Sequence, residues 1–310
     1  MLNTAFFGSS VYVLPVLEAL RTSTHLRLIV SQPDKPVGRS QTVQPAPPQA
    51  WAKTQHIDVL TPASLLEDKD QIVMALKKHS IDSIVVADYG LLIPREIFDF
   101  PKWKTINIHF SRLPDLAGPS PVQWTILRGD PSAWISFMQI VEELDAGPIL
   151  SQHEFRLQGF ETTEQLYTNL FVKAASLLPQ ILRDYTTYQL TPKPQNQTFA
   201  TFTRHLTRDD GFVPFDILIK ALQGKPEMTL ARKFFPDSSF MIHDSFFIDR
   251  LLRAFTPWPG VWTVVKVKSF RLKILKAHAE GEKLVVDEVQ LEGKRPIKWP
   301  EFLRAYREIL

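Results

Sequence analysis

The sequence predicts an α/β protein, a Rossmann-like open and mostly parallel sheet followed by a small antiparallel OB-like β-barrel. Three observations carry that expectation. The first part of the chain alternates short apolar runs with segments of helical spacing, starting with TAFFG (Thr4–Gly8), a Gly-Ser-Ser turn and VYVLPVLEAL. After about residue 205 the alternation stops, and VWTVVKV (Val261–Val267), FRLKILK (Phe270–Lys276) and KLVVDEV (Lys283–Val289) follow one another closely. Between the two lies a polar, aperiodic stretch that reads as a linker. The expected domains are therefore 1–186 and 206–310, joined by 187–205.

The elements follow in order. LRLIVSQ (Leu26–Gln32) reads as a second strand. Residues 33–50 (PDKPVGRSQTVQPAPPQA) hold five prolines in their first sixteen positions, together with Lys35 and Arg39, and are expected to be neither helix nor central strand. A cationic side chain on such a loop is most simply solvated, and beside a sheet edge it can clamp a phosphate. Ser64 and Glu67 have capping-box spacing, opening a helix to about His79 with Ile72, Val73 and Leu76 on one side. DSIVVAD (Asp82–Asp88) is a strand buried on both faces, ending in the loop Tyr89–Pro94 at the edge where open α/β sheets bind ligands. TINIHF is the next strand, Pro121–Gly129 a helix with proline in its first turn, and Ala133–Ile140 another strand. Gly147–Phe155 turns back along the edge, and Thr162–Gln165 caps a helix to about Tyr185.

A chain of 310 residues with 44% hydrophobic and 22% charged residues has ordinary globular composition. With no cysteine it has no disulfide, thiolate metal site or thiol nucleophile. The start lacks a basic region and a small-residue cleavage site, and no apolar run reaches membrane-spanning length, so a soluble cytoplasmic protein is expected. The turn after the first strand holds Gly8 alone rather than a G-x-G-x-x-G fingerprint, which disfavours a nucleotide cofactor. Charge is uneven: residues 1–186 carry 16 Lys/Arg against 19 Asp/Glu, and residues 187–310 carry 20 against 14. A basic second part fits a module that meets a polyanion, and equally a solvated basic surface. Lys266 and Lys268 share one strand face, as do Arg271 and Lys273, opposite Phe270, Leu272 and Ile274; an RNA backbone would suit such a wall.

The chemistry concentrates in Thr105–Leu150. Asn107 and His109 are two apart on a strand and share a face, and Asp145 follows 36 positions after the histidine. An amide donor, an imidazole and a carboxylate suit addition of an amine to a carbonyl: the donors meet the developing oxyanion, and the carboxylate orients the imidazole and accepts a proton. Ser111 lacks the flanking glycines of a hydrolase elbow. Spacing alone is equally compatible with Asn107 and His109 capping backbone groups at a strand end, and a metal site has few clustered ligands here.

NIHFSRLPDLAGPSPVQWTILRGD, followed by MQIVEELDAGPIL, resembles the signature of the folate-dependent formyltransferases. FFGSSVYVLPVLEAL, SQPDKPVGR, VVADYGLLIP, ATFTRHLTRDDGFVPF, RAFTPWPGVWTVV and LVVDEVQLEGKRPIKWPEFLRAY extend the resemblance over nearly the whole chain, toward the branch of that family acting on initiator methionyl-tRNA. The resemblance implies transfer of a formyl group from 10-formyltetrahydrofolate, as co-substrate, to the α-amine of the tRNA-bound methionine, without metal or nucleotide cofactor, by a monomer with no membrane partner. It implies a catalytic trio of Asn107, His109 and Asp145. Ser111, Arg112, Leu113 and Pro114 would form a folate-contacting loop, and Tyr89, Gly90 and Ile93 the wall of a pterin pocket. Lys35 and Arg39 would reach the acceptor end of the tRNA, and the barrel, with Lys266, Lys268, Arg271 and Lys273, its phosphates. Formyl transfer to an amino sugar nucleotide, hydrolysis of the donor, and a catalytically silent tRNA- or folate-binding module are the alternatives. The chain departs from the family pattern at Arg112, Ala117 and Pro148, and residues 216–244 insert into the helix that normally follows the DDG stretch, reading as an added surface element.

Overall fold

The computed structural model describes residues 1–37, 42–236, 242–265 and 270–306. The chain begins β1 (Asn3–Phe7), α1 (Leu14–Ser23), β2 (His25–Val30), β3 (Lys35–Val37), β4 (Thr42–Gln44), α2 (Pro47–Thr54), β5 (Asp58–Leu60), α3 (Lys69–Lys78), β6 (Ser83–Val86), α4 (Arg95–Phe98) and β7 (Thr105–His109). It continues α5 (Pro121–Arg128), β8 (Ser132–Gln139), β9 (Ile149–Arg156), α6 (Thr163–Thr186), α7 (Phe215–Leu222) and α8 (Asp244–Ala254). The last elements are β10 (Val261–Val265), β11 (Phe270–Glu280), β12 (Lys283–Leu291), β13 (Ile297–Lys298) and α9 (Trp299–Ala305). Two compact units result: one of Met1–Pro121, Ser132–Arg156 and Tyr167–Arg204, the other of Val122–Pro131, Leu157–Leu166 and His205–Leu310. Among the described residues, no helix is long and apolar enough to cross a membrane.

The first unit is built on a seven-stranded sheet in the order β5-β2-β1-β6-β7-β8-β9. Its first five strands are parallel; β8 runs antiparallel to β7, and β9 antiparallel to β8. The continuous apolar runs of β1 and β6 are buried on both faces, as a sheet covered by helices requires. Phe7 pairs with Val86 and Val86 with Asn107, so the loops beginning at Gly8, Ala87 and Phe110 leave the sheet along one carboxyl edge.

Local signals account for most helix starts. At α6, Thr162 N donates to Gln165 Oε1 (3.0 Å) and Gln165 N to Thr162 Oγ1 (3.4 Å), the reciprocal cap expected there. Glu67 N donates to Ser64 Oγ (3.2 Å), but that turn precedes α3 rather than belonging to it; Ile72 and Leu76 then face inward. The proline-rich stretch corrects the expectation that it holds no helix. Lys35–Val37 pairs with Thr42–Gln44, and α2 begins at Pro47, with its prolines in the first turn, where no intrahelical N–H donor is needed.

The second unit holds an antiparallel four-stranded sheet, β10-β11-β12-β13. Leu272 and Ile274 are buried, while Lys273 is exposed and Arg271 half-exposed on the opposite face, the alternation the sequence calls for. The insertion at 216–244 is more than the surface element expected. Its Phe234 is buried among the rings of Trp124, Phe247 and Phe255, with centroids 6.0, 5.7 and 5.9 Å away. Asp244, fully buried, closes the segment by accepting from Thr229 N (2.9 Å), Thr229 Oγ1 (2.9 Å) and Leu230 N (2.8 Å). A buried carboxylate is tolerable only with such partners.

Candidate active site

β7 delivers Asn107 and His109 to one face near its carboxyl end. Asn107 is half-buried, and its side-chain amide has no hydrogen-bond partner among the described residues. His109 is buried, and its Nε2 lies 3.1 Å from the carbonyl oxygen of Leu116. A carbonyl only accepts, so Nε2 carries the proton and Nδ1 is turned toward Asp145. The Nδ1–Oδ2 distance is 3.7 Å, with both side chains only 8% exposed. Asp145 Oδ2 accepts from Gly118 N at 2.7 Å. The three residues singled out in the sequence are thus placed by two segments, β7 and the turn after β8.

That turn is tightly specified. Asp145 itself sits at φ +53°, left-handed backbone that aspartate tolerates better than most residues. At Gly147 any Cβ would fall 1.8 Å from Gln139 O, so only glycine fits where the turn rejoins β8 and β9.

The loop after β7 is held from both sides. Ser136 Oγ donates to Ser111 O (2.6 Å) and accepts from Leu113 N (3.3 Å) and Gln152 Nε2 (2.9 Å); Gln152 also donates to Leu113 O (2.9 Å). On the other side runs the stretch expected as a linker. Leu116 N donates to Thr201 Oγ1 (2.8 Å), Ala117 N to Thr201 O (2.9 Å), and Thr203 N to Ala117 O (2.7 Å). Ser120 N donates to Thr203 Oγ1 (3.1 Å), and Gly118, at φ +107°, lies where a Cβ would meet Thr203 O at 2.7 Å. Gln195 Nε2 donates to both Asp145 O (2.8 Å) and Gly147 O (2.7 Å).

The residues expected to hold the folate fall in two places, after the paired strands β6 and β7. Tyr89 and Ile93 are buried in the apolar cluster under the sheet edge, with the Tyr89 ring edge-on to Phe7. Tyr89 Oη is buried without a partner, and burial pushes its phenol up. Gly90 stands at φ +73°, leaving the backbone there open to close approach. In the other group, Ser111 and Leu113 are buried, with Ser111 Oγ donating to Asp115 O at 2.6 Å and Leu113 packed on Ala117 and Met138. Pro114 is half-buried, and the exposed Arg112 stacks on the Trp134 ring, 4.6 Å from its centroid. The two groups therefore offer walls and backbone more than free side chains.

Of the residues expected to meet RNA, Lys35 Nζ donates to Gln32 Oε1, and Gln32 Nε2 donates on to Tyr89 O (2.8 Å), tying that loop to the one that follows β6. Arg39, Lys266 and Lys268 lie outside the described residues. Arg271 lies over the Trp262 ring at 4.3 Å, and Trp262 Nε1 donates to Arg208 O at 2.9 Å. Lys273 is exposed and pairs across the ladder with Trp262. Among the described residues, no group of three or more His, Asp or Glu side chains comes together that could hold a metal.

The model of a family described as "Formyl transferase" matches residues 2–182, and that of "Formyl transferase, C-terminal domain" matches residues 241–284. The chain belongs to the formyl transferase family. Curated relatives within this family include the methionyl-tRNA formyltransferase of Thermus thermophilus, 32% identical over 295 residues that cover 94% of this chain and 86% of that one. That of Roseiflexus castenholzii is 31% identical over 333 residues, covering 99% and 96%. Among solved structures, a methionyl-tRNA formyltransferase from Clostridium thermocellum aligns with a TM-score of 0.55 at 16% identity, over 94% of this chain and 99% of that one. An N-formyltransferase from Helicobacter canadensis in complex with folinic acid and dTDP-3-aminofucose gives 0.59 at 17% identity, over 89% and 87%. At such identity these structures establish the formyl transferase fold.

Sequence reasoning missed Ser136, Gln152, Gln195, Thr201 and Thr203. The alternation of Thr201 and Thr203 was the available signal, two side chains on one face of extended backbone.

Proposed function

We propose that the chain transfers the formyl group of 10-formyltetrahydrofolate to the α-amino group of methionyl initiator tRNA, as a monomer in the cytoplasm. The observation that carries this reading is the near-complete-length likeness to methionyl-tRNA formyltransferases. The Asn107–His109–Asp145 arrangement gives it a chemical basis. The donor supplies a formyl carbonyl on N10; the methionyl amine adds to that carbon, the C–N10 bond breaks, and the proton lost by the amine is balanced by one gained at N10.

The roles of the side chains follow from their geometry. Asn107, with its amide unengaged, donates to the formyl oxygen as negative charge gathers there. His109 stands beside it with its ring oriented by the bond from Nε2 to Leu116 O, and it acts as a second donor when Nε2–H leaves that carbonyl for the formyl oxygen. Asp145 faces Nδ1 and stabilises positive charge on the ring; it is also the group placed to receive the amine proton. Tyr89, Gly90 and Ile93, with the backbone of 111–114, wall the folate. Lys35 and Arg39 meet the acceptor end of the tRNA, and Lys266, Lys268, Arg271 and Lys273 the phosphates farther along.

The test is a formylation assay with 10-formyltetrahydrofolate and charged initiator or elongator methionyl-tRNA. N-formyl-methionine on the initiator species is expected. No product on tRNA, with turnover of an amino sugar nucleotide instead, would overturn the proposal.

A further inference from the structure

The stretch 193–203 lies in neither family match, yet it touches both sides of the trio. It is anchored at one end by a reciprocal pair, Ile149 N to Lys193 O and Lys193 N to Ile149 O, both 2.8 Å. Gln195 follows at once, and its single amide nitrogen bridges the two carbonyls of the Asp145 turn, Asp145 O and Gly147 O. Its Oε1 is buried and has no partner, so only the donor half of the amide is used. Farther on, Thr201 Oγ1 accepts from Leu116 N at 2.8 Å, and Leu116 is the residue whose carbonyl meets His109. One segment therefore grips the backbone behind both members of the His109–Asp145 pair.

We propose that Gln195 is a positioning residue for Asp145, acting through the backbone of the 145–147 turn to set the carboxylate against His109. The proposal rests on the reading of Asn107, His109 and Asp145 as the reacting trio. Asp145 holds left-handed backbone, which needs its surroundings to keep it there, and two donated hydrogen bonds on its own turn supply that. The carboxylate stands 3.7 Å from the imidazole, where a few tenths of an ångström separate a hydrogen bond from a mere neighbour. Misplacement of a catalytic group on the ångström scale costs on the order of 10²-fold in rate.

The test replaces the donor and keeps the volume. Gln195→Met fits beside Met138, whose Sδ already lies 3.9 Å from the amide nitrogen. Expected are a kcat lowered about ten- to a hundredfold, KM for donor and tRNA within about twofold, and a displaced kcat–pH profile. In an Asp145→Asn background the same change should add less than about twofold, because nothing remains to be positioned. A wild-type kcat and pH profile for Gln195→Met overturns the proposal. So does an equal loss in both backgrounds, which is what packing alone would give. If Gln195→Met fails to fold, Gln195→Ala carries the same comparison. The two readings separate cleanly: a wild-type rate for Asp145→Asn removes the trio and this inference together, whereas an impaired Asp145→Asn with an indifferent Gln195 removes the inference alone.

Discussion

The end of β7 and the outer face of β11 both present polar side chains from one side of a strand, but they fix them in opposite ways. His109 and Asp145 are 8% exposed, and each is tied to backbone by one short contact. On β11, Arg271 leans on Trp262 and reaches Glu292 at only 4.0 Å, with side chains 41% and 70% exposed, and Lys273 stands in solvent. Buried polar groups act through direction, because low dielectric magnifies each contact and its loss. Exposed cations act through number and sign, because solvent and salt screen any one of them. The first arrangement is suited to a reacting centre and the second to a polyanionic backbone.

The sharpest break of that contrast comes at the trio. His109→Ala and Asp145→Ala should each lower kcat by about 10²–10³-fold, with little change in the salt dependence of tRNA binding. Steady-state kinetics beside a salt series decides it, and wild-type rates for both variants would end the mechanism. A smaller effect is expected at Asp244, also buried but remote from β7 in sequence. Asp244→Ala leaves Thr229 N and Leu230 N without their acceptor and should cost about 1–3 kcal/mol of stability by thermal or denaturant unfolding. The folded variant should keep its formyl-transfer rate, separating burial for structure from burial for chemistry.

On the exposed side, Arg271→Glu and Lys273→Glu should each reduce the slope of log affinity for tRNA against log salt by about one, leaving folate binding untouched. An unchanged slope would place the RNA on another face. The smallest effect belongs to His278, whose side chain is 47% exposed between Glu280 and Asp287, at 3.2 and 3.1 Å. Its hydrogen bond to Glu280, then that to Asp287, raises its pKa above the ordinary imidazole value. A raised folded-state pKa adds stability that is full below the unfolded pKa of about 6.5 and fades as pH climbs through the folded one. Titration by NMR should show this, and Glu280→Gln with Asp287→Asn should return the ring to ordinary behaviour.

The parallel sheet was legible in the sequence because β1, β2 and β6 are runs of apolar residues bounded by turns, and doubly buried strands leave that trace. So was the Asn107–His109 pair, since a two-residue period on a strand puts both on one face. The prolines of residues 33–50 misled because their effect depends on position: Pro47 and Pro48 open α2, where a missing N–H costs nothing. Phe234 was hidden for a different reason, since a phenylalanine in an irregular stretch has no period to declare its burial. The network around Asp145 was the least legible part. Gln195 and Thr201 act 50 and 85 residues from the groups they bond, and no local pattern reports a partner so far along the chain.

That separation has a consequence for the order in which the polypeptide emerges during synthesis. Asn107, His109 and Asp145 all leave the ribosome before α6, yet the backbone that keeps two of them in place arrives with residues 195–203. A nascent or truncated chain ending at Thr186 carries all three side chains and keeps the bonds from Ser136 and Gln152, but lacks those that Gln195, Thr201 and Thr203 make behind two of them. If those bonds position Asp145 as proposed, formyl transfer requires the chain as far as about residue 203, and a proteolytic nick after α6 lowers the rate without removing any of the three side chains.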